Sequence, residues 1–135
     1  MPDQKELIII LGPTAAGKTA YAIELAGKLK TEIISADSRQ FYRELEIGTA
    51  KPNREELSRI KHHFINSLSI HDDYNVAKYE TEVIGLLKNQ LFPEFDKVVM
   101  VGGSGLYIDA VSHGIDEFPD ADPRLRSSLK EAYRL

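Results

Sequence analysis

Apolar residues fall along the chain in two alternating arrangements: short unbroken runs, and stripes spaced by three and four positions. Residues 7–11 (LIIIL) are an unbroken run that stops at Gly12-Pro13, the pattern of a strand buried on both faces of a parallel sheet. From Lys18 the apolar positions Tyr21, Ala22, Leu25, Ala26 and Leu29 share one face of a helix ending near Lys28 and Lys30. Residues 32–36 predict a second strand that delivers Asp37 at its carboxyl end, where open α/β sheets place their ligands. Pro52 and Asn53, with Glu56 three positions on, predict the start of a short helix by a capping box. Asn75 predicts the cap of a longer one, with Val76, Tyr79, Val83, Leu86, Leu87 and Leu91 on its apolar face and Pro93 closing it. Residues 98–101 are again wholly apolar and end in Gly102-Gly103. Ser104 is placed to cap a helix through Leu106, Tyr107, Ala110 and Val111, which Gly114 is expected to end. Asp122-Pro123 predicts one more helix, with Leu125, Leu129, Ala132 and Tyr133 on one face. Strands alternating with helices imply an α/β fold, a parallel sheet with helices on both faces.

Composition narrows the classes. The chain has 135 residues, 42% hydrophobic and 28% charged, which suits one compact domain, and it contains no repeat or low-complexity tract. No run approaches the ~18 apolar residues of a membrane span. The 7–11 run is short, follows Asp3 and Glu6, and leads straight into a glycine loop, so no membrane association is expected. The absence of cysteine removes disulfides, thiolate metal sites and a cysteine nucleophile, and suits a reducing compartment. A cytoplasmic monomer is expected. A net charge of −4 argues against a protein that coats nucleic acid by bulk charge, so an RNA contact would need a local basic patch.

The candidate chemistry begins with Gly12-Pro13-Thr14-Ala15-Ala16-Gly17-Lys18-Thr19. This is G-x-x-x-x-G-K-[ST] in its required place, after an apolar strand and opening a helix, the P-loop pattern. Its glycines let successive backbone N–H groups turn toward an anion, the helix N-terminus adds partial positive charge, Lys18 adds a full one, and the Thr19 hydroxyl is placed for Mg²⁺. Together they suit a di- or triphosphate, without saying which ester. The later apolar strand ends in glycines rather than the acidic residue that holds Mg²⁺ in most P-loop NTPases. The carboxylate delivered by a strand end near the loop is Asp37, among Ser35, Ser38, Arg39 and Gln40. It could bind the metal, act as general base on an entering nucleophile, or cap the next turn.

Gly102-Gly103-Ser104-Gly105 brings backbone N–H groups and one hydroxyl to the same edge, where Ser104 suits both a helix cap and a site residue. Arg39, Arg43 and Lys51, with Phe41 and Tyr42 between, have the basic and aromatic character that holds splayed RNA bases. Phe41 suits a core position and a stacking platform equally. His62, His63, His71, Asp72 and Asp73 fit no zinc-ligand spacing, and structural or surface roles are expected for them.

Taken together, these motifs resemble the tRNA dimethylallyltransferase family, also called tRNA isopentenyltransferases. The matching pieces are GPTAAGKT from Gly12, SADSRQFYRELEIGTAKP from Ser35, HHFI from His62, YNVAKYE from Tyr74, VGGSGLYI from Val101 and ADPRLR from Ala121, nearly end to end. The P-loop piece alone fits many proteins, whereas its combination with D-S-R-Q-x-Y and I-G-T-A-K-P is specific to the family.

The resemblance implies transfer of a dimethylallyl group from dimethylallyl diphosphate to the exocyclic amine of the adenosine 3′ of the anticodon in tRNA, with release of diphosphate. It implies that Gly12, Pro13, Thr14, Ala15, Ala16, Gly17, Lys18 and Thr19 hold the leaving group, with Mg²⁺ on Thr19. Asp37, Ser104 and Lys18 would be catalytic, with Asp37 as general base. Asp37, Ser38, Arg39, Gln40, Ser104 and Arg126 would contact the tRNA. Ser104 stands where the family usually has threonine, which keeps the hydroxyl and removes one methyl. The family also continues with a helical tRNA-gripping insertion and further arginines, so residues 1–135 are expected to be the catalytic core of a longer enzyme to which full activity belongs. Two other readings compete: a P-loop small-molecule kinase with ATP in the loop and Asp37 activating a hydroxyl, and a binding module that holds phosphate or RNA and catalyses nothing.

Overall fold

The computed structural model describes residues 5–11, 17–44, 52–102, 105–116 and 125–131, with backbone alone at 38, 39, 115, 116 and 125–131. Five strands form one sheet in the order β3-β2-β4-β1-β5, and every pairing is parallel. They are β1 (Lys5–Leu11), β2 (Ile33–Ser35), β3 (His62–His63), β4 (Lys97–Gly102) and β5 (Leu125–Glu131). The helices are α1 (Lys18–Leu29), α2 (Arg54–Arg59), α3 (Val76–Leu86) and α4 (Gly105–Asp116).

The unbroken apolar runs are explained by helices covering both faces. Alternate residues of one strand enter different cores. Leu7 and Ile9, Ile34, and Val98 and Met100 join Tyr79, Val83, Ile108 and Val111 of α3 and α4. Ile10, Ile33, Val99 and Val101 join Ala22, Ile23 and Ala26 of α1 on the opposite side. The expected α/β sheet with helices on both faces is therefore present, and the period-two alternation decides which helix each strand residue meets.

The predicted starts of α2 and α3 are realised as hydrogen bonds. Asn53 accepts from the Glu56 N–H while Glu56 accepts from the Asn53 N–H, a complete capping box. Asn75 accepts from the N–H of Lys78. After α3 the chain widens into one π turn, Leu87–Leu91, which sends Leu87, Leu91 and Phe92 into the core and leaves Lys88, Asn89 and Gln90 exposed.

Two expectations are corrected. The segment after Asp122-Pro123 is the strand β5 rather than a helix, paired with β1 from Lys5↔Leu125 to Leu11↔Glu131. A four-residue spacing such as Leu125 to Leu129 satisfies period two as well as period 3.6, and the pairing occupies the side of β1 that β4 leaves open. Gly114 does not end α4, which runs on to Asp116. A Cβ at Gly114 would meet the Glu80 carboxylate and the Ile84 δ1 methyl, so this glycine serves the close approach of α3 and α4.

Candidate active site

Because every strand is parallel, the carboxyl ends of β1, β2 and β4 lie at one edge of the sheet. Gly17, Lys18 and Thr19 lie there at the start of α1, Asp37 two residues beyond β2, and Gly102 at the end of β4. Gly17 has φ 76° and ψ 15°, the left-handed region that glycine enters without strain, and it turns the chain into α1. As the N-cap it brings no side chain to the first N–H groups of the helix, whose first turn contains no acidic residue. Those donors and the positive end of the helix are therefore available to an anion.

Lys18 and Asp37 are both buried, with 4% and 7% of their surface exposed. Burial pushes the Lys18 ammonium below its ordinary pKa of 10.5, and the Asp37 carboxylate opposes that shift. The Asp37 charge thus offsets part of the desolvation of the Lys18 ammonium at the sheet edge.

The Asp37 turn is tied down at both ends. The Ala36 N–H donates to the Val101 carbonyl at 2.7 Å and the Gln40 N–H to the Asp37 carbonyl at 2.9 Å. The Asp37 N–H donates to Ser35 Oγ at 3.4 Å, and Ser35 Oγ donates to Gln40 Oε1 at 3.2 Å. Tyr79 of α3 donates its hydroxyl hydrogen to the Ser35 carbonyl at 2.7 Å. The 3₁₀ turn Ser38–Phe41 that follows ends with Phe41 fully buried. Phe41 stacks on Tyr79 with ring centroids 5.1 Å apart and 19° between planes, which makes it core rather than a platform for an RNA base. Gln40 is 7% exposed, and its carboxamide oxygen already serves Ser35.

The structure brings Gly17, Lys18, Thr19, Asp37 and Gln40 to one edge, together with the backbone of Ser38 and Arg39. It does not bring Arg126 there. Arg126 pairs with Glu6 near the amino end of β1, five residues and about 17 Å of strand from Leu11. Gly12, Pro13, Thr14, Ala15, Ala16, Lys51 and Ser104 lie outside the described residues. Arg43 is exposed, and its N–H donates to the Leu68 carbonyl. His62 and His63 take structural roles. His63 Nε2 lies 2.8 Å from Glu32 Oε1, His62 Nδ1 lies 2.8 Å from the Ile60 carbonyl, and burial pushes the His62 pKa down.

Ser35 and Tyr79 are the site residues whose roles the sequence does not reveal. Ser35 is the one polar residue of the IIS strand, and Tyr79 sits on an apolar helix face where an aromatic ring reads as core.

Among the described residues no three His, Asp or Glu side chains gather as a cation cage. Magnesium needs none: it keeps several waters and takes one or two protein oxygens beside substrate phosphates. The half-buried Thr19 hydroxyl, on the same edge as the helix N-terminus, fits that sparse donor set.

A family model described as IPP transferase matches residues 40–135. The tRNA dimethylallyltransferase of Flavobacterium johnsoniae is 51% identical over 129 residues, covering 96% of this chain and 41% of the relative. Among solved structures, the full-length tRNA isopentenylpyrophosphate transferase of Bacillus halodurans superposes with a TM-score of 0.76 at 37% identity, over 84% of this chain and 37% of that one. A eukaryotic dimethylallyltransferase acting on tRNA gives a TM-score of 0.72 at 31% identity, over 78% and 26%. The P-loop NTPase-like fold is shared with these neighbours. The chain spans about two fifths of the length of the curated relatives it matches.

Proposed function

Because the chain belongs to the IPP transferase family, we propose that it carries the diphosphate loop and the general base of a tRNA prenyl transferase. The donor is dimethylallyl diphosphate. The acceptor is the exocyclic amine of the adenosine 3′ of the anticodon. The observation that carries this reading is the buried pair at the sheet edge: a cation at the start of α1, and a carboxylate within reach of its charge.

The chemistry follows from that pair. As the amine nitrogen bonds to C1 of the allylic group, the C1–O bond breaks and its electron pair leaves with the diphosphate. Lys18, with the N–H groups at the start of α1, balances the charge that builds on the leaving oxygens, the task such loops perform in phosphoryl transfer. Thr19 would hold Mg²⁺, which supplies further positive charge to the diphosphate. Asp37 takes the proton that the amine loses, a role worth ~10²- to 10⁴-fold in rate. Ser104 offers a hydroxyl to the diphosphate bridging oxygen or the RNA, and Ser38, Arg39 and Gln40 serve the tRNA. In the full-length protein the remaining polypeptide grips the tRNA and helps to turn the base out of its loop, a step that needs stabilisation from the protein.

Calorimetric titration with dimethylallyl diphosphate and with ATP, each with Mg²⁺, tests the reading when paired with transfer to an anticodon stem-loop. Preference for the prenyl diphosphate and prenylation of the stem-loop by the full-length protein support it. Exclusive binding of ATP, with phosphorylation of an acceptor hydroxyl, overturns it.

A further inference from the structure

We propose that Tyr79 is a positioning residue, whose hydroxyl and ring together brace the two ends of the turn that carries Asp37. The hydroxyl holds the Ser35 carbonyl, 44 residues away, at 2.7 Å on the entering side of the turn. The ring face holds Phe41 on the leaving side, at 5.1 Å and 19°. Within that bracket Ser35 Oγ accepts from the Asp37 N–H and donates to Gln40 Oε1, so the anchor at Ser35 passes directly to the catalytic candidate.

The Tyr79 ring is itself fixed. Phe64 and Tyr107 meet it edge-on at 5.2 and 5.0 Å, and the side chain is fully buried. A ring held on three sides places its hydroxyl at one point, which a bracing group requires and mere space-filling does not. A core role alone would be met by phenylalanine, because a buried hydroxyl is costly unless it finds a partner. Burial pushes the Tyr79 pKa well above its ordinary value, so the hydroxyl remains a donor wherever Asp37 is ionised.

The consequence for turnover rests on the reading of Asp37 as base; the brace itself does not. It is tested first through the backbone of the turn, whose amides at Asp37 and Gln40 report the geometry that Tyr79 holds. Amide hydrogen exchange is followed by NMR in the wild type, Tyr79→Phe and Ser35→Ala. Tyr79→Phe should speed exchange of the Asp37 and Gln40 amides by about 10-fold or more, while the amides of β1 and β4 stay within about twofold of wild type. If Tyr79→Phe does not fold, Ser35→Ala, which removes the acceptor of the Asp37 N–H, carries the same comparison. Unchanged exchange at Asp37 and Gln40 overturns the brace, as does an equal rise throughout β1 and β4, which would indicate general loosening. In the full-length enzyme Tyr79→Phe should reduce kcat by about 10-fold or more, as expected of a displaced base, with KM for dimethylallyl diphosphate within about twofold. A fall in donor affinity that matches the fall in kcat overturns the brace. A wild-type enzyme that prenylates nothing overturns the proposed function instead, and the amide comparison still decides the brace.

Discussion

Gly102, the last residue of β4, lies so close to Ala36 that a Cβ on it would fall 2.8 Å from both the carbonyl carbon and the Cβ of Ala36, and 2.9 Å from its carbonyl oxygen. The obstacle is largely backbone, held by the hydrogen bond from the Ala36 N–H to Val101 and followed directly by Asp37. Gly102→Ala should therefore cost about 1–3 kcal/mol, the usual range for overpacking, and shift the Asp37 turn. Gly114→Ala is the control. Its Cβ meets only the far ends of Glu80 and Ile84, which can rotate away while the helix gains up to ~1 kcal/mol of propensity. Urea unfolding of the two variants should separate them, and equal stability would show that β2 and β4 can move apart freely.

Lys18→Ala should weaken pyrophosphate binding by about 10- to 100-fold, the worth of one hydrogen bond to a charged group at ~1.5–3 kcal/mol. Binding also reports the Lys18 charge. Its folded-state pKa lies below 10.5, so affinity should hold below that pKa and fall as pH rises through it, earlier than an exposed lysine would allow. Asp37 opposes the depression, so in Asp37→Asn the fall should begin at lower pH. Calorimetric titration of pyrophosphate across neutral to alkaline pH checks both. A profile identical in wild type and Asp37→Asn would mean that the two charges do not communicate.

Tyr79 contributes a second pH dependence, of known sign. Its pKa is raised by burial, so the folded chain keeps a proton that the unfolded chain releases above about pH 10. Its contribution is fully present below that value and is lost as pH rises beyond it. Tyr79→Phe should be less stable than wild type by about 1–3 kcal/mol near neutral pH, where the Ser35 carbonyl loses its donor. The gap should narrow by about pH 11 in chemical denaturation, and a gap constant with pH would contradict the buried, protonated hydroxyl.

What was legible in the sequence was local. The runs at residues 7–11 and 98–101, the caps at Asn53 and Asn75, and the loop motif before Lys18 each declare themselves within a few residues, because strand burial, capping and anion binding are read over that range. Asp37 was legible from its place after a strand. What escaped depends on contacts far apart in the chain. Gly114 reads as a helix end until α3 is seen beside it, and Leu125 to Leu129 fits two periods until β1 is seen to have an open side. Tyr79 looks like any aromatic residue on an apolar face, and only the fold brings its hydroxyl to Ser35.

The central claim is that Asp37 removes a proton while the loop holds the leaving group, and Asp37→Asn in the full-length enzyme tests it most directly. Pyrophosphate affinity and single-turnover transfer of a labelled dimethylallyl group to an anticodon stem-loop are measured on the same preparation. The account predicts binding within about threefold of wild type, a change under ~1 kcal/mol, and transfer slowed ~10²- to 10⁴-fold. Transfer at the wild-type rate would contradict it.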